Sequence, residues 1–341
     1  MSSLKTIGKD LGFAAGLLVS VALAPSALAD DVSEASAAEW LQRMNSVFTE
    51  LNYDGVFSFI SGTDLASLRI VHMVEDGVQN ERLIHLNGAP REIVREGEKV
   101  LCIMGPEDKL LDLGSSIPAG PFAKAFVRNF DDVDRNYHLE MAGEDRVAGR
   151  VSVRLDVKPK DENRYGYRLW LDKQTGLLLR SDLVDEVANK SLEVFQFNQL
   201  TVGAGVQKAA LKSEQSGEAV VHQFEIDQKI KAEGKDHPNG WHATWLPDGF
   251  EMAASDVREM AATTTPVNTM MYTDGLAAIS VFVEEAHDDD EMGHMVAQHG
   301  ATVSVTEIVE DPDGTEHVVT VVGEIPPKTA AAIAESVKFS R

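Results

Sequence analysis

Two groups of side chains in this sequence have types suited to chemistry. The first is His287-Asp288-Asp289-Asp290-Glu291 with His294 and His299, imidazoles and carboxylates of the kind that hold zinc or a hard cation. Their spacing fits no standard metal loop, because a calcium loop begun at Asp288 would set Met292 and His299 where oxygen ligands belong. A solvated acidic loop or helix start accounts for the run, and no metal is assigned. The second is Cys102, the only cysteine, inside the apolar run Val100-Leu101-Cys102-Ile103-Met104. With Lys99 as its one basic neighbour it reads as an inert buried thiol, and a single cysteine excludes an intramolecular disulfide. The G-x-S-x-G elbow, the phosphate loop, H-E-x-x-H, C-x-x-C and the dinucleotide fingerprint are all missing. A non-enzyme without a cofactor is the expectation, while a serine or carboxylate site, being spatial and not sequential, stays open from motifs alone.

The charge balance sets what the chain can meet. Its 31 basic and 55 acidic side chains give a net charge of −24. Phosphate neutralisation needs clustered Lys and Arg, so nucleic acid is excluded, while basic partners and solubility are favoured. The start reads as an export signal: Lys5 and Lys9, a largely apolar stretch from Leu11 to Leu23, then Ala27-Leu28-Ala29 as a cleavage site before Asp30. That stretch is shorter than the ~20 residues of a membrane span. Residues 1–29 are expected to be removed after Ala29, leaving a protein soluble in the periplasm. No cysteine follows the cleavage site to carry a lipid anchor there. From Pro238 onward 18 acidic side chains face only 4 basic ones, a denser negative charge than before it. That change, with the polar run Glu233 to Gly240, divides the mature chain into a domain over 30–205, a linker region 206–239 and a smaller domain over 240–341.

Regular elements must position these residues. Trp40, Leu41, Met44, Val47, Phe48 and Leu51 recur at three- and four-residue spacing, which predicts a helix over Ala35 to Leu51. Short apolar or alternating runs follow at Val56 to Ile60, Leu68 to Val74, Arg82 to Leu86, Arg91 to Arg95 and Val100 to Met104, parted by turn signals such as Glu75-Asp76-Gly77. A helix through Phe122, Phe126 and Phe130 interrupts this meander. Strands resume at Val151 to Val157, Tyr165 to Leu171, Leu177 to Leu183 and Leu192 to Leu200, with Val220 to Ile226 as one more. An antiparallel sheet of that size either curls into a barrel or needs a cover on its apolar face. Beyond the linker, strands at Thr269 to Tyr272, Ala277 to Val283, Ala301 to Ile308 and His317 to Gly323, with a helix from Pro326 through Val337, make a small α+β domain. The fold class expected is mainly β, with α+β character.

Five segments, in order, resemble the RseB/MucB family over nearly the whole mature chain. They are Asn52-Tyr53-Asp54-Gly55-Val56-Phe57; Glu81 to Gly88 running into Pro90 to Arg95; Tyr167 to Asp172 with Thr175 to Arg180; Trp245-Leu246-Pro247-Asp248-Gly249-Phe250; and Tyr272-Thr273-Asp274-Gly275-Leu276-Ala277 with Ser280 to Glu284. The resemblance implies a first domain similar in fold to the lipoprotein carriers LolA and LolB, a large half-open antiparallel β-barrel closed by helices over an apolar cavity. It implies a negative regulator of a sigma-E-type envelope stress response. Such a protein binds the periplasmic domain of a transmembrane RseA/MucA-like anti-sigma factor and shields it from site-1 proteolysis, with release by lipid or lipopolysaccharide. The alternative is a periplasmic lipid or lipoprotein carrier of the LolA/LolB type. A homodimer stays open in either case. The acidic segment His287 to Glu291 is not part of the family pattern.

Two sets of candidate site residues follow. Phe57, Phe59, Ile70, Leu83, Leu101, Ile103, Trp170, Leu178 and Phe195 are either core, together with Phe197, or the lining of a cavity for an acyl chain; alternation says only that one face of each strand points inward. Arg82, Arg91, Glu92 and Arg95 read as a solvated face with weak ion pairs or as a contact for the partner or a head group, since Arg offers planar donors to carboxylate or phosphate. Tyr272 and Asp274 read as a turn with a packing tyrosine or as a further partner contact.

Overall fold

Ser36 caps the first helix. Its hydroxyl accepts a hydrogen bond from the Glu39 amide, and the Glu39 carboxylate accepts one from the Ser36 amide at 2.6 Å. This reciprocal cap satisfies two of the donors that every helix start leaves over. The helix, α1 (Ala37–Glu50), buries Ala37, Trp40, Leu41, Met44 and Phe48, the stripe that the sequence spacing predicts. The computed structural model describes residues 36–97, 99–104, 133–213, 218–222, 240–258, 266–286 and 293–340. The predicted helix through Phe122, Phe126 and Phe130 lies outside the described residues, as does the run His287 to Glu291. Among the described residues no helix is long and apolar enough to cross a membrane.

Five strands follow α1 as a meander: β1 (Tyr53–Ser61), β2 (Asp64–Glu75), β3 (Val78–His85), β4 (Arg91–Glu96) and β5 (Lys99–Met104). A short helix, α2 (Val133–Asn136), leads into a second meander of β6 (Tyr137–Val147), β7 (Arg150–Pro159), β8 (Gly166–Asp172), β9 (Leu178–Asp185) and β10 (Lys190–Val202). Pairing of β1 with β10 joins the meanders edge to edge, and β11 (Glu218–His222) pairs with β5 at the far end. The result is one 11-stranded antiparallel sheet, in the order β11-β5-β4-β3-β2-β1-β10-β9-β8-β7-β6. Its second half curls, bringing β6 against α1 and β10 without a ladder between β6 and β10. Arg43 of α1 donates to the carbonyls of Gln174 and Thr175 at 2.7 and 3.1 Å, which pins the helix to the β8–β9 turn.

The remaining strands are β12 (Trp241–Ala243), β13 (Glu251–Arg258), β14 (Val267–Thr273), β15 (Ala278–Glu285), β16 (Met295–His299), β17 (Thr302–Glu310), β18 (Glu316–Gly323) and β19 (Val337–Phe339). Six of them form a sheet in the order β13-β14-β15-β18-β17-β16, and β12 pairs with β19. The helix α3 (Pro327–Ser336) packs on β17 and β18 over a core of Ile279, Val281, Val303, Val305, Val319 and Val321. The predicted helix through Val337 stops one residue sooner, where Val337 begins β19. Strands β6 and β16 escape the sequence pattern because both are edges. Four residues in a row are exposed at Gly143 to Arg146 of β6, and every residue of β16 is exposed, so neither shows a clean alternation of burial.

Gly55 has no room for a side chain. A methyl group there would sit 2.6 Å from Cε1 of the Phe197 ring and 2.9 Å from the Gln199 carbonyl oxygen across the β1–β10 pair. Gly55→Ala is expected to lower stability by about 1–3 kcal/mol, the usual range for overpacking. Urea unfolding checks this; an unchanged midpoint would mean that Phe197 is free to move aside.

Candidate functional site

Register decides which apolar candidates share a surface. Tyr53 stands opposite His72, Gly55 opposite Ile70 and Phe57 opposite Leu68; on the next strand His72 faces Glu81 and Ile70 faces Leu83. All of these point to the inner face, under α1. Phe57, Ile70, Leu178 and Phe195 are buried in the core there, while Phe59 and Leu83 are only partly buried against it. Leu101, Ile103 and Trp170, which the sequence groups with them, do not join them. Leu101 stands opposite Val94, which faces Arg82, and that row lies on the outer face. Ile103 shares its side of the strand. The run Val100 to Met104 is apolar on both faces, so composition hides its parity. Trp170 stands between Arg154 and Arg180 on the outer face. The two guanidinium carbons lie 5.5 and 4.5 Å from its ring, and its indole N–H donates to Asp145 at 3.0 Å.

The charged candidates differ more sharply from expectation. Arg82, Glu92 and Arg95 are 6%, 2% and 4% exposed, so a solvated face is excluded for these three. Arg82 donates twice to the Glu92 carboxylate, at 2.6 and 3.2 Å, and once to the Ala210 carbonyl at 3.1 Å. That last bond ties the stretch after β10 across the outer face of β3. Arg95 pairs with Glu81 at 3.9 Å on the inner face. Arg91 is half-buried, with the inner-face parity of Ile93.

Beside Glu81 the rings of Tyr53 and His72 stack with centroids 4.9 Å apart. His72 Nδ1 lies 2.9 Å from the Leu51 carbonyl oxygen, which only accepts, so Nδ1 carries the proton. The Tyr53 hydroxyl and His72 Nε2 are buried with no hydrogen-bond partner among the described residues. Burial, and secondly the Glu81 charge, pushes the Tyr53 hydroxyl well above its usual range. Burial pulls the His72 imidazole below its usual range, with the Leu51 carbonyl opposing.

The two sheets meet at Arg164, just before β8. Its side chain is 0% exposed, as is that of Asp274 in the β14–β15 turn, and the two are joined at 2.6 Å. Arg164 also donates to Asp161 at 2.9 and 3.1 Å and to the Asp248 carbonyl at 2.6 Å. Its guanidinium carbon lies 5.6 Å from the Tyr137 ring and 5.3 Å from the Phe250 ring. The Tyr137 hydroxyl donates to the same Asp274 oxygen at 2.9 Å. The other Asp274 oxygen accepts from the Leu276 and Ala277 amides at 2.9 and 2.8 Å. Asp274 is thus held within the chain, and Tyr272 is buried in the second core. Elsewhere on the junction, Tyr165, Leu183 and Leu192 pack on Ala301, and Glu193 accepts from Ser61 and from the Ala301 amide. Sequence reasoning passed over Arg164 because its four-residue polar run Asp161 to Arg164 looks like any loop and its partners are distant in sequence.

His294 and His299 end up beside single carboxylates, those of Glu307 and Asp64. Among the described residues no three His, Cys, Asp or Glu side chains converge to hold a metal.

Two family models match: the MucB/RseB N-terminal domain over residues 36–215 and the MucB/RseB C-terminal domain over residues 235–338. The chain belongs to the MucB/RseB family. It is 37% identical over 307 residues to the sigma factor AlgU regulatory protein MucB of Pseudomonas aeruginosa, covering 89% of this chain and 91% of that one. The structure of the Pseudomonas aeruginosa MucA/MucB complex matches with a TM-score of 0.72 and 35% identity, over 89% of this chain and 99% of that one. MucB alone matches with a TM-score of 0.59 and 32% identity, over 89% of this chain and 98% of that one. Family membership places the chain among regulatory binding proteins.

Two outcomes follow from the buried charges. Arg82→Ala leaves Glu92 buried and unpaired, which costs about 3–5 kcal/mol, whereas an apolar pair at both positions should recover most of that. Equilibrium unfolding of the single variant and of Arg82→Met with Glu92→Leu measures both; equal stability of all three would show that water reaches the pair. Because His72 titrates lower folded than unfolded, its stabilising contribution is complete above the unfolded value of about 6.5 and is lost as pH falls through the folded one. Replacing His72 by Gln should flatten the loss of stability between neutral pH and pH 5, and a curve parallel to wild type would assign that loss to other groups.

Proposed function

We propose that this chain is a periplasmic negative regulator of a sigma-E-type envelope stress response, which binds the periplasmic domain of a transmembrane MucA/RseA-like anti-sigma factor and shields it from site-1 proteolysis. The observation that carries this is the match, across both sheets and 89% of the chain, to MucB in its complex with MucA. The net charge of −24 suits a basic partner segment. In this reading residues 1–29 are an export signal removed after Ala29, residues 30–205 and 240–341 are the two domains, and 206–239 is the linker region. The protein acts by binding and has no catalytic site or cofactor.

Lipid or lipopolysaccharide is the releasing ligand in this proposal, taken up on the inner face of a half-open barrel. Phe59 and Leu83, partly buried beside Phe57, Ile70, Leu178 and Phe195, supply the apolar lining. Arg91, half-buried on that face, supplies a cation for an anionic head group. An acyl chain gains ~0.8 kcal/mol for each CH₂ buried, so about ten methylenes rival a micromolar partner, worth ~8 kcal/mol.

Calorimetry of the delipidated chain with the periplasmic domain of the MucA-like protein of the same genome should give micromolar or tighter binding, weakened by added lipopolysaccharide. Binding indifferent to lipid removes the switch and keeps the regulator. Lipid uptake without partner binding would instead identify a carrier of the LolA/LolB type.

A further inference from the structure

We infer that Arg164 is a positioning residue for partner binding: by joining the long sheet to the six-stranded sheet through Asp274, it fixes the mutual orientation in which the two present one surface to the partner. This rests on the regulator reading above. Two kinds of contact hold the junction, and they differ in what they allow. The contact of Tyr165, Leu183 and Leu192 with Ala301 carries one hydrogen bond, from the Ala301 amide to Glu193 at 3.2 Å, but its apolar part has no direction and tolerates sliding. The Arg164 contact does not. Its guanidinium is 0% exposed and is enclosed between the rings of Tyr137, from the first sheet, and Phe250, from the second. Its donors are spent on Asp161, on the Asp274 carboxylate and on the Asp248 carbonyl. Any rotation of one sheet against the other strips acceptors from a charge that water does not reach. Intermediate angles are therefore disfavoured, and the junction has one bound geometry and one released state.

Two further observations support a role beyond stability. Trp245 to Phe250 and Tyr272 to Ala277, two of the five segments that carry the family resemblance, are the ones that supply Asp248, Phe250 and Asp274 to this contact. The chain also matches MucA-bound MucB more closely than MucB alone, with TM-scores of 0.72 and 0.59. The bound relative thus has the more similar structure.

The test uses the full chain without its signal, with the periplasmic domain of the same genome's MucA-like protein as probe. Arg164→Met and Asp274→Asn should each weaken binding at least tenfold and enlarge the radius of gyration in small-angle scattering. Lys328→Ala, which removes the exposed Lys328–Glu162 pair at the same junction, should leave affinity within twofold. If the stronger variants do not fold, the milder Tyr137→Phe is read instead and should lower affinity severalfold. Wild-type affinity in Arg164→Met or in Tyr137→Phe overturns the proposal, and so does a weakened variant whose scattering is unchanged. No binding by the wild-type chain marks failure of the regulator reading itself, recognisable because no variant is then needed to see it, and the positioning role falls with it.

Discussion

A guanidinium removed from water needs acceptors for its donors, and around Arg164 that requirement reaches two distant parts of the chain. Asp161 lies three residues away, but the Asp248 carbonyl and the Asp274 carboxylate lie 84 and 110 residues further along the chain. The connection before β8, the loop before β13 and the β14–β15 turn must therefore be in place together. Asp274 extends the coupling, because its second oxygen fixes its own turn through the amides of Leu276 and Ala277. Leu276 then reaches into the core of the long sheet, 3% exposed among residues that α1 also covers. One side chain links turn geometry, sheet packing and sheet orientation, and this is why removing it should disturb binding and scattering together.

The long sheet carries its charges in the same internally neutralised way. On its outer face Arg154 is held by Asp156 and Arg180 by Asp182, and the two cations cover Trp170. Nearer the other end Arg82 is held by Glu92, and on the inner face Arg95 by Glu81. Arg82–Glu92 and Arg95–Glu81 join neighbouring strands, so a slipped register would part them, whereas Arg154–Asp156 and Arg180–Asp182 lie within single strands and are indifferent to it. The two cross-strand pairs therefore favour one register of β3 on β4.

Local signals in the sequence were enough for α1, for the first meander, for β7 to β10 of the second and for α3, because each depends on periodicity within a few residues. The β8–β9 hairpin across Asp172 to Leu177 is legible for the same reason. What depends on parity was not. Leu101 and Ile103 sit in a run apolar on both sides, and only their pairing with β4 shows that they face away from Ile70. The charged run around Arg82 misleads differently: two strands with three arginines between them look solvated until the carboxylates are found on neighbouring strands and the stretch through Ala210 is found covering Arg82. The junction is the least legible part, since an Arg and an Asp 110 residues apart have no local mark of each other.

This distribution of charge separates the duties of the two sheets. The arginines of the long sheet, already met by neighbouring carboxylates, project little net field. The dense negative charge lies from Pro238 onward, where 18 acidic side chains face 4 basic ones. Long-range attraction of a basic partner therefore acts mainly through the residues from Pro238 onward, while under the proposed function the inner face of the long sheet offers an apolar lining to a ligand. A ligand on the inner face and a partner drawn to the second sheet can influence one another only through the contact between the sheets. The strength of that coupling then depends on how stiffly the contact holds. A sliding apolar contact would transmit little, whereas a charge that tolerates only one geometry transmits nearly all of a displacement.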